Sequence, residues 1–443
     1  MNNWTIIKVC LSLFVVSFGV RLLVWQNNKI AMAEVQSTIV ELYQEDAAAL
    51  VRGDVSIFLA GRNPPSDATI LTHPPGYSLL MAPIIWLFGS DQSFLIFQLL
   101  LNSLSPVVIF LIALNLFDRV TGIVAGMLTA VAPQFAYYSG VLLPDGLCVL
   151  PILFAVYAIV LATKNQSYRW AVVCGASLGV SCWLRSNAMV MPLIFAAFSL
   201  ILVPKQIRIR FALTILAAFI LTIAPVTIRN SLVFRTFIPL SLGMGHMVVI
   251  GIGDYDKEGR FGLPRTDEGD MELDAKRDGR SDYDGLYTPN GIQRERDRLM
   301  LGLNVIKDNP FWYVRSVLYR SVNMLRMERV PVIAPERDER ATTNKLLYDL
   351  NIPLKYIQRL FITAFIIPLS FVGLFVLFRD RSQRKAIMIL AVVPVYYLCV
   401  QSLIYTEYRF IIAMSYFFMI FSSVAICFAI RKAGLLKEIK TAA

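Results

Sequence analysis

The chain has 443 residues, of which 56% are hydrophobic and only 16% are charged, and its formal net charge is +11. The mean hydropathy is +0.60. A soluble domain of this composition could not cover its apolar core with polar residues, so the composition predicts a polytopic membrane protein. Apolar stretches of about 20 residues, each long enough to cross ~30 Å of hydrocarbon as a helix, recur along the chain.

These stretches predict an all-α membrane protein with about ten transmembrane helices. Their approximate ranges are 5–25, 93–117, 120–141, 144–163, 170–184, 187–204, 211–228, 357–378, 386–404 and 409–430. The first stretch resembles a signal peptide in part, but Arg21 and Lys29 interrupt the approach to a cleavage site. We therefore expect an uncleaved first helix.

The basic residues are concentrated on one predicted side of the membrane. With the N-terminus in the cytoplasm, the cytoplasmic segments hold fifteen Lys and Arg but only three Asp and Glu. This is the positive-inside bias, and it places both termini in the cytoplasm. The excess positive charge therefore orients the protein, and we expect no nucleic-acid partner. The outer segment lacks an Asn-x-Ser/Thr sequon, which favours a bacterial inner membrane.

The spacing of the apolar stretches divides the chain into three parts. Residues 1–228 form an N-terminal transmembrane module with an outer loop at 26–92, residues 229–356 form an outer segment, and residues 357–443 form the closing helices and a cytoplasmic tail. All six cysteines lie in apolar stretches, without a disulfide framework or a metal-binding spacing.

The first outer loop contains two predicted interfacial helices. Tyr43, Ala47 and Leu50 recur at helical spacing within 34–52, which is typical of a helix on the membrane surface. Asp46 lies beside this apolar stripe, where a partly desolvated carboxylate could act as a general base. A second short helix is predicted at 77–88. His73 precedes it, beside two prolines, and could bind phosphate or a sugar or only support the loop.

Further polar residues lie at the outer ends of the predicted spans. Asp145, in a tight turn, could cap a helix or act as a functional acid. Arg185 and Arg229 oppose the positive-inside bias, so they could bind a lipid phosphate, although a lone arginine can also reach the headgroups. Glu407 and Arg409 lie in the turn of the last hairpin, where an internal ion pair is the simpler interpretation.

The outer segment begins with a highly charged stretch. Residues 254–284 hold eleven acidic and six basic residues with several glycines, which predicts a solvated loop. Residues 278–285 have oxygen-rich side chains, but their spacing fails the calcium-binding loop pattern. Residues 290–328 are predicted to be helical, with a break at Asn309-Pro310.

Seven short motifs in one order resemble the GT-C class of membrane glycosyltransferases, particularly the bacterial dolichyl-phosphate-mannose protein mannosyltransferase and aminoarabinose transferase group. The matching pieces are Tyr43-x3-Ala47-x5-Gly53, His73-Pro74-Pro75-Gly76-Tyr77, Pro144-Asp145, Leu184-Arg185-Ser186-Asn187, Ala224-Pro225-x3-Arg229-Asn230, Ile238-Pro239-Leu240-Ser241 and Glu407-Tyr408-Arg409. Each motif is weak alone, and they cover most of the chain. The resemblance implies a GT-C-like bundle.

The resemblance also implies an inverting sugar transfer on the outer face of the membrane. The donor would be a polyprenyl-phosphate sugar, and the acceptor would be a hydroxyl group of a lipid, a glycan or a protein. Membrane lipids would surround the protein as further partners. A first-loop carboxylate would deprotonate that hydroxyl, and arginines, with or without a divalent metal ion, would hold the leaving phosphate. Asp145 matches a family acid near the donor, and Tyr43, His73, Arg185, Arg229, Glu407 and Arg409 carry over as donor or structural contacts.

The chain departs from the family at one position. The family places its catalytic aspartate about four residues before the loop tyrosine, and here Ile39 occupies that position. The nearest acids are Asp46, which we take as the first candidate for the base, and Glu41, which we take as the second. Two other classes stay open: a transporter or flippase for lipid-linked saccharides, and a catalytically inactive subunit of envelope assembly. A transporter would place its charges near the bilayer midplane.

Overall fold

The computed structural model describes residues 3–55, 71–283, 285–330 and 345–435, which form α-helices and short connections without a strand. Asp67 and the other first-loop residues at 56–70 lie outside this described part. The helices of the N-terminal half are α1 (Asn3–Glu34), α2 (Ser37–Val51), α3 (Gly76–Phe88), α4 (Asp91–Asn102), α5 (Ser105–Leu116), α6 (Arg119–Val131), α7 (Pro133–Gly140), α8 (Pro144–Leu147), α9 (Val149–Asn165), α10 (Tyr168–Leu184) and α11 (Met191–Leu202).

The C-terminal half continues this all-α architecture. Its helices are α12 (Arg208–Phe234), α13 (Met244–Tyr255), α14 (Asp267–Asp278), α15 (Gly291–Asp308), α16 (Pro310–Met324), α17 (Lys345–Gln358), α18 (Thr363–Arg379), α19 (Arg384–Cys399) and α20 (Tyr408–Lys432). Short 3₁₀ turns lie at Ser186–Ala188, Arg381–Gln383 and Gln401–Leu403. The predicted all-α polytopic fold is confirmed.

Six helical stretches in the described chain are long and apolar enough to cross a membrane, or eight if two bent helix pairs each count as one span. The straight stretches are Asn3–Ala33, Asp91–Leu116, Pro144–Asn165, Arg208–Phe234, Arg381–Leu403 and Tyr408–Lys432. The bent pairs are α6 with α7, at 50°, and Tyr348–Gln358 with α18, at 53°. The predicted count of about ten is not confirmed, because α10 has 17 residues and α11 only 12, short of the ~20 that a span requires.

Small residues allow the central helices to pack closely. A side chain at Gly373 on α18 would come within 1.8 Å of the backbone oxygen of Phe421 on α20. At Gly175 on α10, a side chain would meet the carbonyl of Ile215 on α12 at 2.1 Å. Close backbone contact of this kind stabilises helix pairs in lipid through packing, since burial from water supplies no driving force there.

Both helices predicted in the first outer loop form, as α2 and α3. In α2, Tyr43 and Ala47 are buried and Leu50 packs against the same core. In α3, Gly76 lies directly on the end of α10, where a β-carbon would meet the backbone oxygen of Trp183 at 2.5 Å. This contact holds the first outer loop against the turn that carries Arg185.

The prediction of a solvated loop at 254–284 is wrong for its centre, which forms helix α14. Thr266 caps this helix by accepting from the backbone N–H of Gly269, and Gly279 ends it with φ 63°. Asp270 and Asp274 are fully buried. Their charges are neutralised by arginines on α15, a helix about 20 residues further along the chain, so composition alone gave no sign of this burial. The predicted helices of 290–328 and their break at Asn309 are confirmed.

Candidate functional site

Asp145 and Arg185 form a buried ion pair at the ends of two neighbouring helices. The Nη1 atom of Arg185 lies 2.8 Å from each carboxylate oxygen of Asp145. The side chain of Asp145 is 1% exposed and that of Arg185 is 19% exposed. Asp145 belongs to the short helix α8, and Arg185 directly follows α10. Asp145 therefore fixes the arginine and leaves the other side of its guanidinium group for a further partner.

Arg409 lies near this pair, against the same phenylalanine ring. The guanidinium carbons of Arg185 and Arg409 are 4.3 Å and 4.9 Å from the ring centroid of Phe410, within the range of cation–π contact. The Nε of Arg409 donates to Glu407 at 2.6 Å, so the predicted internal ion pair does form. Among the described residues, the buried Nη1 of Arg409 has no hydrogen-bond partner. Both guanidinium groups therefore lie against one ring, and both act electrostatically on His73.

The first outer loop contributes a small cavity next to these arginines. It measures about 30 Å³ and is lined by Leu42, Tyr43, Asp46, Thr72, His73 and Pro74. The ring of Tyr43 lies 5.2 Å from that of His73 and 4.9 Å from that of Tyr77. Within the described ranges, the buried Nε2 of His73 has no hydrogen-bond partner. The cavity therefore joins the candidate base to a ring nitrogen that can bind a ligand.

Two groups of this cavity have strongly shifted pKa values. Burial, with a contribution from the charge of Glu45, raises the pKa of Asp46 to about 6. Burial, together with the positive charges of Arg185 and Arg409, lowers the pKa of His73 to about 3. His73 is therefore neutral at physiological pH. The positive charges of Arg185 and Arg409 both affect the pKa of His73, so the first loop lies near these two residues, which we call the arginine pair.

Two of the predicted site residues lie apart from this arrangement. Glu41 points into solvent on the exposed face of α2. Arg229 donates from Nε and Nη2 to the side-chain oxygen of Asn230, at 2.9 Å and 2.6 Å. Asn230 in turn donates to the carbonyls of Ile238 and Leu240, each at 3.0 Å. In this structure, then, Arg229 supports the loop that follows α12.

Gln98 connects the first loop to the turn before Asp145, a role that the sequence did not indicate. Its fully buried side chain accepts from the hydroxyl of Tyr77 at 2.6 Å and donates to the carbonyls of Ser139 and Val141 at 2.9 Å and 2.7 Å. The sequence shows Gln98 as one of three amide residues in the apolar stretch 93–117, with nothing to distinguish it from Asn102 and Asn115. Phe410 was missed as well, because an aromatic residue in a span is ordinarily read as core.

A second cluster of charges lies in the outer segment. His246 on α13 contacts Asp270 at 2.7 Å and Asp267 at 3.2 Å, and Arg298 on α15 contacts Asp270 at 3.0 Å. Burial lowers the pKa of His246, but hydrogen bonds to the two aspartates outweigh it and raise that pKa to about 9. The pKa of Asp267 is lowered, chiefly by His246 and in part by the charge of Arg409. This cluster therefore lies within electrostatic range of the arginine pair.

The expected divalent metal ion has no evident ligand set in the described part of the chain. There, no group of three or more His, Cys, Asp or Glu side chains is arranged to hold a metal ion. Asp145 is paired to Arg185 and His73 lies against Tyr43, so neither is clustered with a second acid. These residues do not fit a metal centre, and we derive no step through one.

Comparison with known proteins finds one family model that matches part of the chain. Residues 72–228 match the family model described as dolichyl-phosphate-mannose-protein mannosyltransferase, and this stretch includes His73, Asp145 and Arg185. No curated protein sequence matches the chain.

The fold is shared with the oligosaccharyltransferase of Archaeoglobus fulgidus, a GT-C glycosyltransferase. Its apo structure aligns with a TM-score of 0.56 at 13% identity, over 98% of this chain and 51% of the other. The form tethered to an acceptor peptide with an NVT sequon gives 0.55 at 12% identity, over 98% and 50% of the two chains. The complex with an inhibitory peptide and a dolichol-phosphate gives 0.54 at 14% identity, over 98% and 51%. The chain spans about half the length of these proteins.

Proposed function

We propose that this protein is an integral membrane glycosyltransferase that moves a sugar from a polyprenyl-phosphate donor to an acceptor hydroxyl on the outer face of a bacterial inner membrane. The observation that carries the proposal is that Arg185 and Arg409 both contact Phe410 and both act on His73, which lines the Asp46 cavity. The match of residues 72–228 to a mannosyltransferase family supports it. The fold supports it as well.

The arginine pair suits the phosphate of a lipid-linked donor. Guanidinium groups bind phosphate oxygens bidentately, and they stay charged when partly buried. Arg185 is held by Asp145 and Arg409 by Glu407, so both are oriented before a ligand arrives. The free Nη1 of Arg409 is a buried donor that a phosphate oxygen would satisfy.

The transfer step needs a base, a path for the proton and a stabilised leaving group. The acceptor oxygen attacks the anomeric carbon and forms the new glycosidic bond, while the bond from that carbon to the phosphate oxygen breaks. The acceptor proton passes to the carboxylate of Asp46, and the polyprenyl phosphate leaves with the electron pair next to Arg185 and Arg409. One displacement of this kind inverts the configuration of the sugar. His73, which is neutral, offers a hydrogen bond to a sugar hydroxyl.

The donor site can be tested by measuring the binding of a polyprenyl phosphate, without any sugar transfer. Native mass spectrometry of the full chain with a polyprenyl phosphate should show binding that Arg185→Ala and Arg409→Ala each weaken about tenfold or more, because each removes a charge-assisted contact. Arg52→Ala serves as the matched control, since Arg52 is exposed at the end of α2 and is not part of the site. Equal binding by all three variants would refute the donor site.

Sugar transfer itself is tested with the same protein and a panel of polyprenyl-phosphate hexoses and pentoses. The expected result is loss of sugar from the donor together with a new glycoside in a membrane lipid, glycan or protein fraction. Binding and translocation of the donor without any new glycoside would instead indicate a transporter, and binding without either would indicate an inactive subunit.

A further inference from the structure

An open groove lies on the other side of α2 from the Asp46 cavity. It measures about 660 Å³ and is lined by residues from the end of α1, the start of α2 and the start of α4, with Leu142 at its base. This volume falls in the range of about 300–1,000 Å³ that ligand pockets occupy. Trp25, Ile30 and Leu95 give it apolar walls. It lies at the C-terminal end of α1, a helix long and apolar enough to cross a membrane.

Lys29 is the one basic residue that lines this groove. It is half-buried, and it forms no ion pair or hydrogen bond with any residue that the structure describes. The acid in the lining, Glu34, is exposed and is not paired with Lys29 in the described chain. A half-buried ammonium group without a partner is stabilised by an anion, and a phosphate at headgroup depth supplies one.

The groove is connected to the proposed active site along two short paths. Leu142 lies three positions before Asp145 in the sequence, so the Cα atoms of the two residues are within about 10 Å of each other. Helix α2 runs from Ser37, which lines the groove, to Asp46, a distance of about 13 Å at 1.5 Å per residue. A molecule anchored in the groove can therefore extend a polar end along α2 to the candidate base.

We propose that this groove binds the acceptor, a phosphate-bearing membrane amphiphile whose apolar chain lies against Trp25 and Leu95 and whose phosphate contacts Lys29. The identification as acceptor rests on the proposed function. In that function, the donor phosphate occupies the arginine pair beside the opposite face of α2. The two substrates then approach Asp46 from different sides, with their phosphates held by different cations.

Fluorescence of Trp25 tests the groove without any turnover. The full chain is placed in phosphatidylcholine nanodiscs doped with brominated phosphatidate or with brominated phosphatidylcholine, and Trp25→Phe defines the contribution of this one tryptophan to the quenching. Phosphatidate should quench Trp25 several-fold more than phosphatidylcholine does, because only its exposed phosphomonoester can pair closely with Lys29. Inorganic phosphate should not compete, since it lacks the chain that the apolar walls bind.

Lys29→Ala should remove this preference, and Ala33→Phe should lower quenching by both lipids because it fills the exposed side of the groove. Lys307→Ala, at an exposed lysine of the outer segment, is the matched control and should keep the preference. A preference that survives Lys29→Ala overturns the proposed site. Competition by inorganic phosphate alone would also overturn it, because the groove would then be an anion site and not a lipid site.

Kinetic measurements distinguish a defect in acceptor binding from a defect in donor binding. Lys29→Ala should raise the KM for the acceptor lipid about tenfold and leave the KM for the donor unchanged. A raised donor KM, or an acceptor that proves to be a peptide, would overturn the assignment. If Arg185→Ala and Arg409→Ala do not weaken donor binding, the proposed function is refuted but the lipid-binding groove is not. The Trp25 measurement detects lipid in the groove whether or not the protein binds the donor.

Discussion

At the scale of single residues, burial is what distinguishes the two candidate bases. Asp46 and Glu41 lie on the same helix, but Asp46 borders a cavity with Tyr43 and His73 whereas Glu41 faces solvent. Loss of hydration raises the proton affinity of a carboxylate, and a base is most effective when its pKa lies near the working pH. The structure therefore favours Asp46, in agreement with the order of candidates from the sequence.

Asp46→Asn should lower turnover by about 10²-fold or more, as loss of a general base does. Because only the carboxylate can accept the proton, kcat/KM of the unmodified protein should rise with pH and level off above about 6, the pKa of Asp46. Glu45→Gln should move this acidic limb to lower pH, since the charge of Glu45 helps to raise that pKa. Full turnover in Asp46→Asn together with its loss in Glu41→Gln would assign the base to Glu41.

At the scale of elements, the outer segment is organised by charge pairs between its helices. Asp270 and Asp274 of α14 meet Arg294 and Arg298 of α15, and His246 joins them from α13. Glu295 of α15 also accepts from the backbone N–H groups of Gly243 and Gly245 at the start of α13, at 2.8 Å and 2.6 Å. Removal of one partner from such a network leaves a buried charge uncompensated, which is costly.

The outer segment should therefore lose stability in alkaline solution. The folded pKa of His246, about 9, exceeds its unfolded value of ~6.5, so its contribution is complete below pH ~6.5 and disappears as pH rises through 9. The loss should be on the order of 3 kcal/mol. It should be visible as faster limited proteolysis of the segment at high pH. His246→Gln should abolish this pH dependence.

His73 provides an internal control for that measurement. It is the other of the chain's two histidines, and its pKa of about 3 keeps it uncharged throughout this pH range. A pH dependence between 6.5 and 9 that persists unchanged in His246→Gln would show that His246 does not contribute it.

At the scale of the whole molecule, the proposed site requires that the first loop, the outer segment and the last hairpin lie on one side of the membrane. The backbone links these parts directly. Leu242 donates to the carbonyl of Leu71 at 2.8 Å, and Tyr405 donates to that of Met247 at 2.9 Å. The arrangement around the arginine pair thus depends on the first loop, the outer segment and the last hairpin together.

Cysteine labelling tests this topology. In a Cys399→Ser background, which removes the exposed native thiol, Glu258→Cys in the outer segment should react with a membrane-impermeant maleimide from the outside. Arg381→Cys, at the exposed turn after α18, should react only after the membrane is opened, because the positive-inside bias assigns it to the cytoplasm. The reverse pattern would invert the orientation and refute an outer-face site.

The sequence predicted most of what depends on local properties. The all-α membrane class and the two first-loop helices follow from hydropathy and periodicity, which neighbouring residues determine. The same reasoning failed at 254–284, because the burial of Asp270 and Asp274 requires arginines from another helix. The predicted number of about ten spans is not confirmed, since length and hydropathy do not decide whether a short helix such as α11 crosses the membrane.

The sequence by itself thus determined that the chain is a membrane protein, and it predicted that its polar candidates lie at one set of helix ends. Only the tertiary structure decided which of them meet. Arg185 and Arg409 contact one phenylalanine although more than 200 residues separate them, and Asp145 pairs with a residue 40 positions away. Contacts at such separations depend on how helices pack, and packing in lipid is specified by the whole set of small and polar residues together.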